Sequence, residues 1–449
     1  MKKYKSLKIN KMRIILTFLI LFNTIQFLSA QSLYFPPRNN ADWERLDPKS
    51  LNWCQSKIDE LYQYLDSTNS KAFILLKDGK IILEKYFDNF TKDSFHLWNS
   101  AGKTLTGFGI GIAQQEGSLN INDVSSKYLG SGWSSCTLEQ EQKITIKNHI
   151  SMTTGLDDSV PNSDCSEPSC LIYKADAGTR WAYHNGPYTI LDQVIANATQ
   201  LSLNSFINSR IMSPIGGAGL YYKFGNNNVY ISNTYTMARF GLLLLAKGRW
   251  NNNLIMKDSV YLNSMLNSSQ SLNPAYGYLT WLNGKSSYKL PGLQFQFQGY
   301  LNPDAPEDVF AALGKDGQVI NVSPSKNIVF IRMGDAPDVS NFVPNIYNNS
   351  IWIKILNLNC PSSVNEKTQD FSKLIIYNNQ TKKLTIKNKT LEYFTEISLY
   401  NINGNHLNTY KISKIIDNSI DLSHLNSGVY LVNYKSNNTY HTQKILIAY

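Results

Sequence analysis

The chain has 449 residues, of which 42% are hydrophobic and 17% charged, a composition typical of folded proteins and not of disordered ones. The formal net charge of +10 suggests a nucleic-acid partner, but six of the positive charges lie before residue 14 and most of the remaining surplus lies after residue 370. The region between them is close to neutral, so the sequence predicts no nucleic-acid partner.

The first 30 residues are predicted to be a signal peptide. Basic residues up to Arg13 precede the apolar run from Ile14 to Phe22, and the small residues Leu28-Ser-Ala30 resemble a cleavage site. The alternative is a membrane anchor, but the apolar run is short and polar residues follow it at once. The sequence therefore predicts export without a stable membrane span.

Residues 31–360 are predicted to form the main domain. A helix is expected over residues 52–65, and Asp78-Gly79 is expected to join two strands. The middle of the domain reads as mainly helical, with an amphipathic stretch at 236–246. Strands are predicted at 276–281, 318–322 and 328–333, and a closing helix at 343–356. This order predicts an α/β (α+β) fold in which an antiparallel sheet is flanked by helices and joined to a helical lobe.

Ser100 and Lys103 are the first candidate catalytic pair. Residues three apart on a helix share one face, so the amine can reach the hydroxyl. A desolvated lysine can be neutral enough to take the proton of a serine nucleophile. The S-x-x-K pattern is associated with this chemistry.

Two further S-x-x-K matches show that spacing alone does not decide. One begins at Ser286 in a polar loop and the other at Ser323 in a predicted hairpin turn. Ser100 instead opens an apolar, glycine-spaced segment that is typical of a buried helix. The alternative function of Ser100 is a simple helix N-cap.

Tyr183-His-Asn185 is the second motif, and it lies in a loop that leads into an apolar, helix-like stretch. Other tyrosines of the chain also stand two residues before an asparagine, so the pattern is weak by itself. A tyrosine held in such a turn can present its hydroxyl as a base or proton shuttle.

Lys315-Asp316-Gly317 is the third motif. The same tripeptide at Lys77 is predicted to be an ordinary hairpin turn. The copy at Lys315 precedes the strand that begins at Gln318, where a backbone N–H could complete an oxyanion hole.

Cys165 and Cys170 are predicted to form a disulfide, because export places them in an oxidising compartment. They would close a small loop in the turn-rich segment 157–170, and this loop could form one wall of the substrate cleft.

The order of these motifs resembles the serine β-lactamase and penicillin-binding superfamily over residues 50–357. The branch that it resembles includes class C β-lactamases, D,D-peptidases and related esterases. The segment Ile150-Ser-Met-Thr-Thr-Gly-Leu156 is similar to one that follows the nucleophile helix in this branch. The resemblance also implies that the first and last helices pack together, so that Cys54 and Cys360 pair and Cys136 stays free.

The resemblance implies a role for each site residue, and it implies no cofactor and no metal. Ser100 would be the nucleophile, and Lys103 and Tyr183 would share acid and base work. Lys315 would supply positive charge that keeps the pKa of Lys103 or Tyr183 low. The substrate and its oxyanion would be held by Asn185, Asp316, Gly317 and Gln318.

Asp316 departs from the family pattern, which has a hydroxyl or another residue at this place. A carboxylate that faced the pocket would repel the carboxylate of a penicillin or of a D-alanyl peptide. The sequence therefore predicts a secreted serine hydrolase that cleaves a small-molecule or peptide ester or amide through a Ser100 acyl-enzyme. The alternatives are a β-lactamase or D,D-carboxypeptidase, or a catalytically silent surface binding protein.

Residues 361–370 are predicted to be a linker, and residues 371–449 a small all-β sandwich. The segment Ile420-Asp-Leu-Ser-His-Leu-Asn-Ser-Gly-Val-Tyr430 resembles the C-terminal sorting domain of type IX secretion cargo. The resemblance implies that the type IX machinery is a partner and that the protein is secreted or surface-attached. A carbohydrate-binding sandwich is the alternative, but this region has no tryptophan for stacking on sugars.

Overall fold

The structure of the protein is a computed structural model that describes residues 33–38, 42–337, 343–360, 375–386, 394–402, 404–415, 417–436 and 439–447. The chain forms two compact units, Met1–Tyr34 and Phe35–Tyr449. The signal peptide predicted at 1–30 and the linker predicted at 361–370 lie outside the described residues, so these boundaries stay predictions.

The helices of the second unit confirm the predicted helical middle and closing helix. In chain order they are α1 Gln55–Ser67, α2 Gly102–Gln115, α3 Ser126–Leu129, α4 Leu138–Glu141, α5 Ile146–Ile150, α6 Asn185–Thr189, α7 Leu191–Thr199, α8 Leu203–Ile207, α9 Ser213–Ile215, α10 Thr234–Leu245, α11 Ser259–Met265 and α12 Asn345–Leu356. Two short 3₁₀ turns matter for the site, at Asn99–Ala101 and Lys315–Gly317.

The strands before residue 360 fall into one large sheet and three small ones. They are β1 Ser70–Lys77, β2 Lys80–Tyr86, β3 Phe95–Leu97, β4 Gly219–Phe224, β5 Asn227–Asn233, β6 Arg249–Trp250, β7 Asn253–Leu254, β8 Trp281–Leu282, β9 Ser287–Tyr288, β10 Phe297–Gln298, β11 Phe310–Gly314, β12 Gln318–Ser323 and β13 Ile328–Gly334. The large sheet has the order β2-β1-β13-β12-β11-β8, and its pairs are antiparallel.

Helices cover both faces of this sheet because its central strands are buried on both sides. Ile320 and Asn321 are neighbours in β12 and point to opposite faces. On one face Ile320 lies against Gly241 of α10. On the other, the Asn321 side chain accepts a hydrogen bond from Trp352 of α12 at 3.0 Å. The predicted helix–sheet–helix arrangement is confirmed.

Both Lys-Asp-Gly tripeptides lie in hairpin turns, but the loop at Lys77 has two residues, because Lys77 pairs with Lys80, and the loop at Lys315 has three, because Gly314 pairs with Gln318. Asp78 has a φ of 52° between β1 and β2, and Asp316 has a φ of 63° between β11 and β12. Asp is among the residues that tolerate this left-handed conformation. The two tripeptides therefore share a left-handed Asp, but the one at Lys315 forms a longer, 3₁₀-type turn.

The strand predicted at 276–281 is wrong for most of its length, because only Trp281 belongs to a strand, β8. Leu279 has a φ of 51°, which an extended strand does not contain. Its backbone N–H donates to the carbonyl of Ile150, and its carbonyl accepts from Thr104 of α2. These tertiary hydrogen bonds override the β propensity of the segment.

The C-terminal region is a two-sheet sandwich, as predicted. Its strands are β14 Ile375–Asn378, β15 Lys383–Ile386, β16 Phe394–Asn401, β17 His406–Lys411, β18 Ser419–Asp421, β19 Gly428–Ser436 and β20 Thr439–Ile447. The sheets have the orders β14-β15-β18 and β17-β16-β19-β20. Apolar residues from both, such as Leu384 and Val432, form one core.

Both predicted disulfides are present. Cys165 and Cys170 close a short loop, and Cys54 is bonded to Cys360 across 306 positions of sequence. Cys136 is free. The long-range bond joins the residue before α1 to a residue just after α12, so it ties together the two ends of the main domain.

We expect the double variant Cys54→Ser/Cys360→Ser to unfold at a lower temperature than the wild type under non-reducing conditions. Loss of a native disulfide costs about 2–5 kcal/mol, since the unfolded chain regains its freedom. Differential scanning calorimetry measures the midpoint, and Cys136→Ser is the matched control because it removes a sulfur without removing a bond. Equal midpoints for the double variant and the wild type would contradict this expectation.

Candidate active site

Ser100 lies in the 3₁₀ turn Asn99–Ala101, directly before α2, and its side chain is only partly buried. The preceding Trp98 is fully buried, and its indole N–H donates to Ser232 at 2.8 Å. Asn99 has a φ of 48°, a conformation that asparagine tolerates better than most residues. The chain therefore turns sharply and presents the hydroxyl at the start of a buried helix.

Lys103 is almost fully buried, and its Nζ lies 3.2 Å from Ser100 Oγ in a hydrogen bond. The amine also lies 4.3 Å from the ring centroid of Tyr188 and 5.1 Å from that of Tyr183. Burial lowers the pKa of Lys103 to about 7, against an opposing effect of the Asp164 carboxylate. At neutral pH a large fraction of Lys103 is thus a free amine beside the hydroxyl.

The Tyr183 side chain makes a hydrogen bond with Ser100. Its ring is stacked on Trp281 of β8, with centroids 5.9 Å apart and planes inclined by 17°. Burial raises the pKa of Tyr183, so the side chain is a neutral phenol in the physiological range. A neutral phenol can pass a proton on but is a weak base.

The 315–317 turn lies against the nucleophile turn. The Asn99 side chain donates to the Lys315 carbonyl at 2.8 Å and to Asp316 Oδ2 at 3.2 Å. Gly314 precedes this turn, and a Cβ there would lie 2.4 Å from the Trp98 carbonyl oxygen and 2.9 Å from the Ala101 nitrogen. Only glycine permits this close approach of the two backbones.

The three residues of the third motif and the following Gln318 have different surroundings. The side chain of Lys315 is exposed, and its charge is not among those that shift the pKa of Lys103 or Tyr183. Asp316 is partly buried, and its carboxylate accepts a hydrogen bond from the Asn99 side chain of the nucleophile turn. Gly317 is buried. The Gln318 side chain donates to the Gly334 carbonyl at 2.5 Å, which leaves its backbone as the part that can face a substrate.

Asn185 begins α6, and one N–H of its side-chain amide is engaged by Asp164. Its Nδ2 donates to Asp164 Oδ1 at 2.6 Å, and its Oδ1 is buried without a hydrogen-bond partner among the described residues. The role predicted for Asn185, holding the substrate's amide, stays a prediction.

Two residues of the site were not predicted from sequence. Asp164 is one, and it directly precedes Cys165, the first residue of the loop closed by the Cys165–Cys170 bond. Arg332 is the other: it is fully buried and donates to the Asp316 carbonyl at 2.6 Å and to Ser70 Oγ at 2.9 Å. An arginine inside the apolar strand 328–334 is the sequence signal that could have identified it, because buried charge needs partners.

The comparison with known families matches these features. A family model described as Beta-lactamase matches residues 59–335, more than half of the chain. The chain belongs to the β-lactamase family. A protein of Alkalihalophilus pseudofirmus without a characterised function is 22% identical to this β-lactamase-family chain over 309 residues, which is 60% of the chain and 84% of the relative. Protein flp of Staphylococcus aureus is 27% identical over 177 residues, 35% of each chain.

Solved structures agree on the fold of this β-lactamase-family protein. The octameric penicillin-binding protein homologue from Pyrococcus abyssi has a TM-score of 0.51 and 13% identity over 88% of this chain and 96% of its own. Residues 375–448 match a model described as a secretion system C-terminal sorting domain. This domain marks the protein for type IX secretion to the cell surface or the extracellular space. No helix within the described ranges is long and apolar enough to cross a membrane.

We expect Gly314→Ala to slow the reaction of Ser100 with a serine-directed phosphonate by about a hundredfold, because the added methyl group displaces the nucleophile turn. The second-order labelling rate, followed by intact mass, measures this. Gly117→Ala is the control for general destabilisation, since Gly117 also has a positive φ but has open space around it. Equal labelling rates for Gly314→Ala and the wild type would contradict the importance of the close approach.

Proposed function

We propose that the protein is a secreted serine hydrolase that cleaves an ester or amide through an acyl-enzyme on Ser100. The observation that carries this proposal is the 3.2 Å contact between Ser100 Oγ and a buried Lys103 amine whose pKa is lowered to about 7. A weak nucleophile thereby has a neutral base within hydrogen-bonding distance.

Acylation then proceeds by a balanced transfer of one proton. Ser100 Oγ bonds to the carbonyl carbon while its proton passes to Lys103. Tyr183, a neutral phenol in contact with Ser100, donates its proton to the leaving group and regains one from Lys103. The bond to the leaving group breaks, and the acyl group stays on Ser100. Water then attacks the ester, with the same two residues relaying its proton back to the serine oxygen.

The oxyanion would be bound by the backbone N–H groups of Ser100 and Gln318. The close contact of Gly314 with the nucleophile turn supports this proposal, because Gly314 pairs with Gln318 across the hairpin. Backbone donors that are fixed in advance stabilise developing negative charge without reorganisation. Gly317 gives the hairpin its tight turn. Lys315 would act on the substrate from the exposed rim of the site.

Asp316 favours a substrate without a carboxylate beside the scissile bond. Its carboxylate is held on the nucleophile turn by Asn99, at 3.2 Å, and repels a second negative charge in the partly buried cleft. A β-lactamase or D,D-carboxypeptidase activity is the alternative, since the fold is shared with penicillin-binding proteins. A silent binding protein is a third, and it does not need a low-pKa lysine beside a serine.

Ser100→Ala is expected to abolish turnover of aryl esters and the mass increase that follows acylation, because the attacking oxygen is absent. Intact mass after exposure to a panel of aryl esters, penicillins and peptidyl-D-alanine measures both acylation and the acyl group. Ser286→Ala is the matched control, since it removes the exposed serine of another S-x-x-K sequence. Full turnover by Ser100→Ala would disprove the proposal, and acylation by penicillin alone would favour the alternative.

The value of kcat/KM is expected to rise about tenfold per pH unit below pH 7 and to level off above it. Lys103 must be neutral to accept the proton, and it is neutral above its pKa of about 7. The groups that face it are Ser100, the phenols of Tyr183 and Tyr188, and Asp164, whose negative charge opposes the lowering. A neutral aryl ester is a suitable substrate because it does not titrate. A flat profile between pH 5.5 and 8 would show that Lys103 is not the base.

A further inference from the structure

Asp164, the residue just before the Cys165–Cys170 loop, places a carboxylate on the second catalytic motif. Asp164 Oδ1 accepts a hydrogen bond of 2.6 Å from Asn185 Nδ2. A carboxylate can only accept, so the amide of Asn185 must turn its NH₂ group towards Asp164. Its carbonyl oxygen is left buried and without a partner among the described residues. The pair therefore offers a buried acceptor, the Asn185 carbonyl oxygen, beside a carboxylate, while the second N–H of the Asn185 amide is not used by this bond.

Two anchors fix the position of Asp164. The next residue, Cys165, is buried and forms the disulfide with Cys170. The preceding Ser163 accepts a backbone hydrogen bond of 3.0 Å from Gly186. A Cβ on Gly186 would lie 2.3 Å from the Cys165 carbonyl oxygen, so the backbones at Gly186 and Cys165 are too close to leave room for a side chain at residue 186. The carboxylate is thus held on a rigid support, as a specificity residue requires.

The charge of Asp164 acts inside the catalytic cleft. It is the charged group that opposes the lowering of the Lys103 pKa, so its field reaches the amine next to Ser100. Asp316 adds a second carboxylate on the opposite motif, against the nucleophile turn. With Lys103 largely neutral and Lys315 on the exposed rim, these two carboxylates favour a cation in the inner part of the cleft.

We propose that Asp164 and Asn185 bind a protonated amino group in the acyl part of the substrate, so that the enzyme acts on aminoacyl esters or amides. This proposal rests on the serine hydrolase function proposed above. An ammonium group has three donors and no acceptor, which matches a carboxylate oxygen and an amide carbonyl oxygen. Hydrogen bonds between opposite charges are about twice as strong as neutral ones, and stronger still away from water.

The test compares matched substrates. Alanine p-nitroanilide, in both enantiomers, and 4-aminobutyrate p-nitroanilide are each paired with their N-acetyl form, which has the same acyl chain but no charge. The wild-type chain is expected to prefer at least one free amine over its acetylated partner. In Asp164→Asn, which keeps the size of the side chain, the ratio of the two kcat/KM values is expected to fall by about tenfold to a hundredfold.

The ratio is the measured quantity because the substitution also acts on Lys103. Any change in the pKa of Lys103 affects both members of a pair alike and cancels. Asp164→Glu keeps the charge and is expected to restore part of the preference. Glu167→Gln is the matched control: it removes an equal charge from the adjoining disulfide loop, and Glu167 is exposed. Its ratio is expected to equal that of the wild type.

The outcomes separate this inference from the proposed function. Turnover that depends on Ser100, with ratios that are the same in Asp164→Asn and the wild type for every pair, overturns the role of Asp164 alone. A wild type that prefers the acetylated member of every pair also overturns it. If Ser100→Ala hydrolysed both the acetylated and the free substrates as fast as the wild type does, the serine hydrolase function itself would be overturned.

Discussion

The exclusion of water from the Lys103 amine is the condition on which the site depends. A lysine in water is charged at neutral pH and cannot take a proton from serine. Here the amine is enclosed by the first turn of a fully buried helix and by the rings of Tyr183 and Tyr188, so that the charged form is destabilised. The rings and Asp164 favour the cation, but the loss of hydration is the larger effect.

The scaffold supplies this dry environment together with an accessible nucleophile. The central sheet is covered by helices on both faces. The turn with Ser100 packs against the end of the β11–β12 hairpin. Arg332 ties that hairpin to the start of β1 through hydrogen bonds to the Asp316 carbonyl and to Ser70. The catalytic groups therefore come from distant parts of the chain but are fixed by one continuous core.

Local patterns made much of this predictable from sequence. The contact of Ser100 with Lys103 follows from a spacing of three residues, and the Asp78-Gly79 hairpin follows from turn chemistry. Tertiary constraints made the rest unpredictable. Leu279 leaves the strand conformation because of hydrogen bonds to segments far away in sequence, and the contact of Asp164 with Asn185 joins an irregular segment to the first residue of α6. The exposure of the Lys315 side chain was also not predictable from its sequence.

The bond between Cys54 and Cys360 affects the stability of the protein after secretion. It joins the hydrolase ends immediately before the sorting segment begins, and closing a ring of this length removes about 6 kcal/mol of chain entropy from the unfolded state. A protease that trims the tail beyond Cys360 leaves this ring intact. The main domain would then keep the stability that this bond provides outside the cell, after the C-terminal sorting domain has been removed.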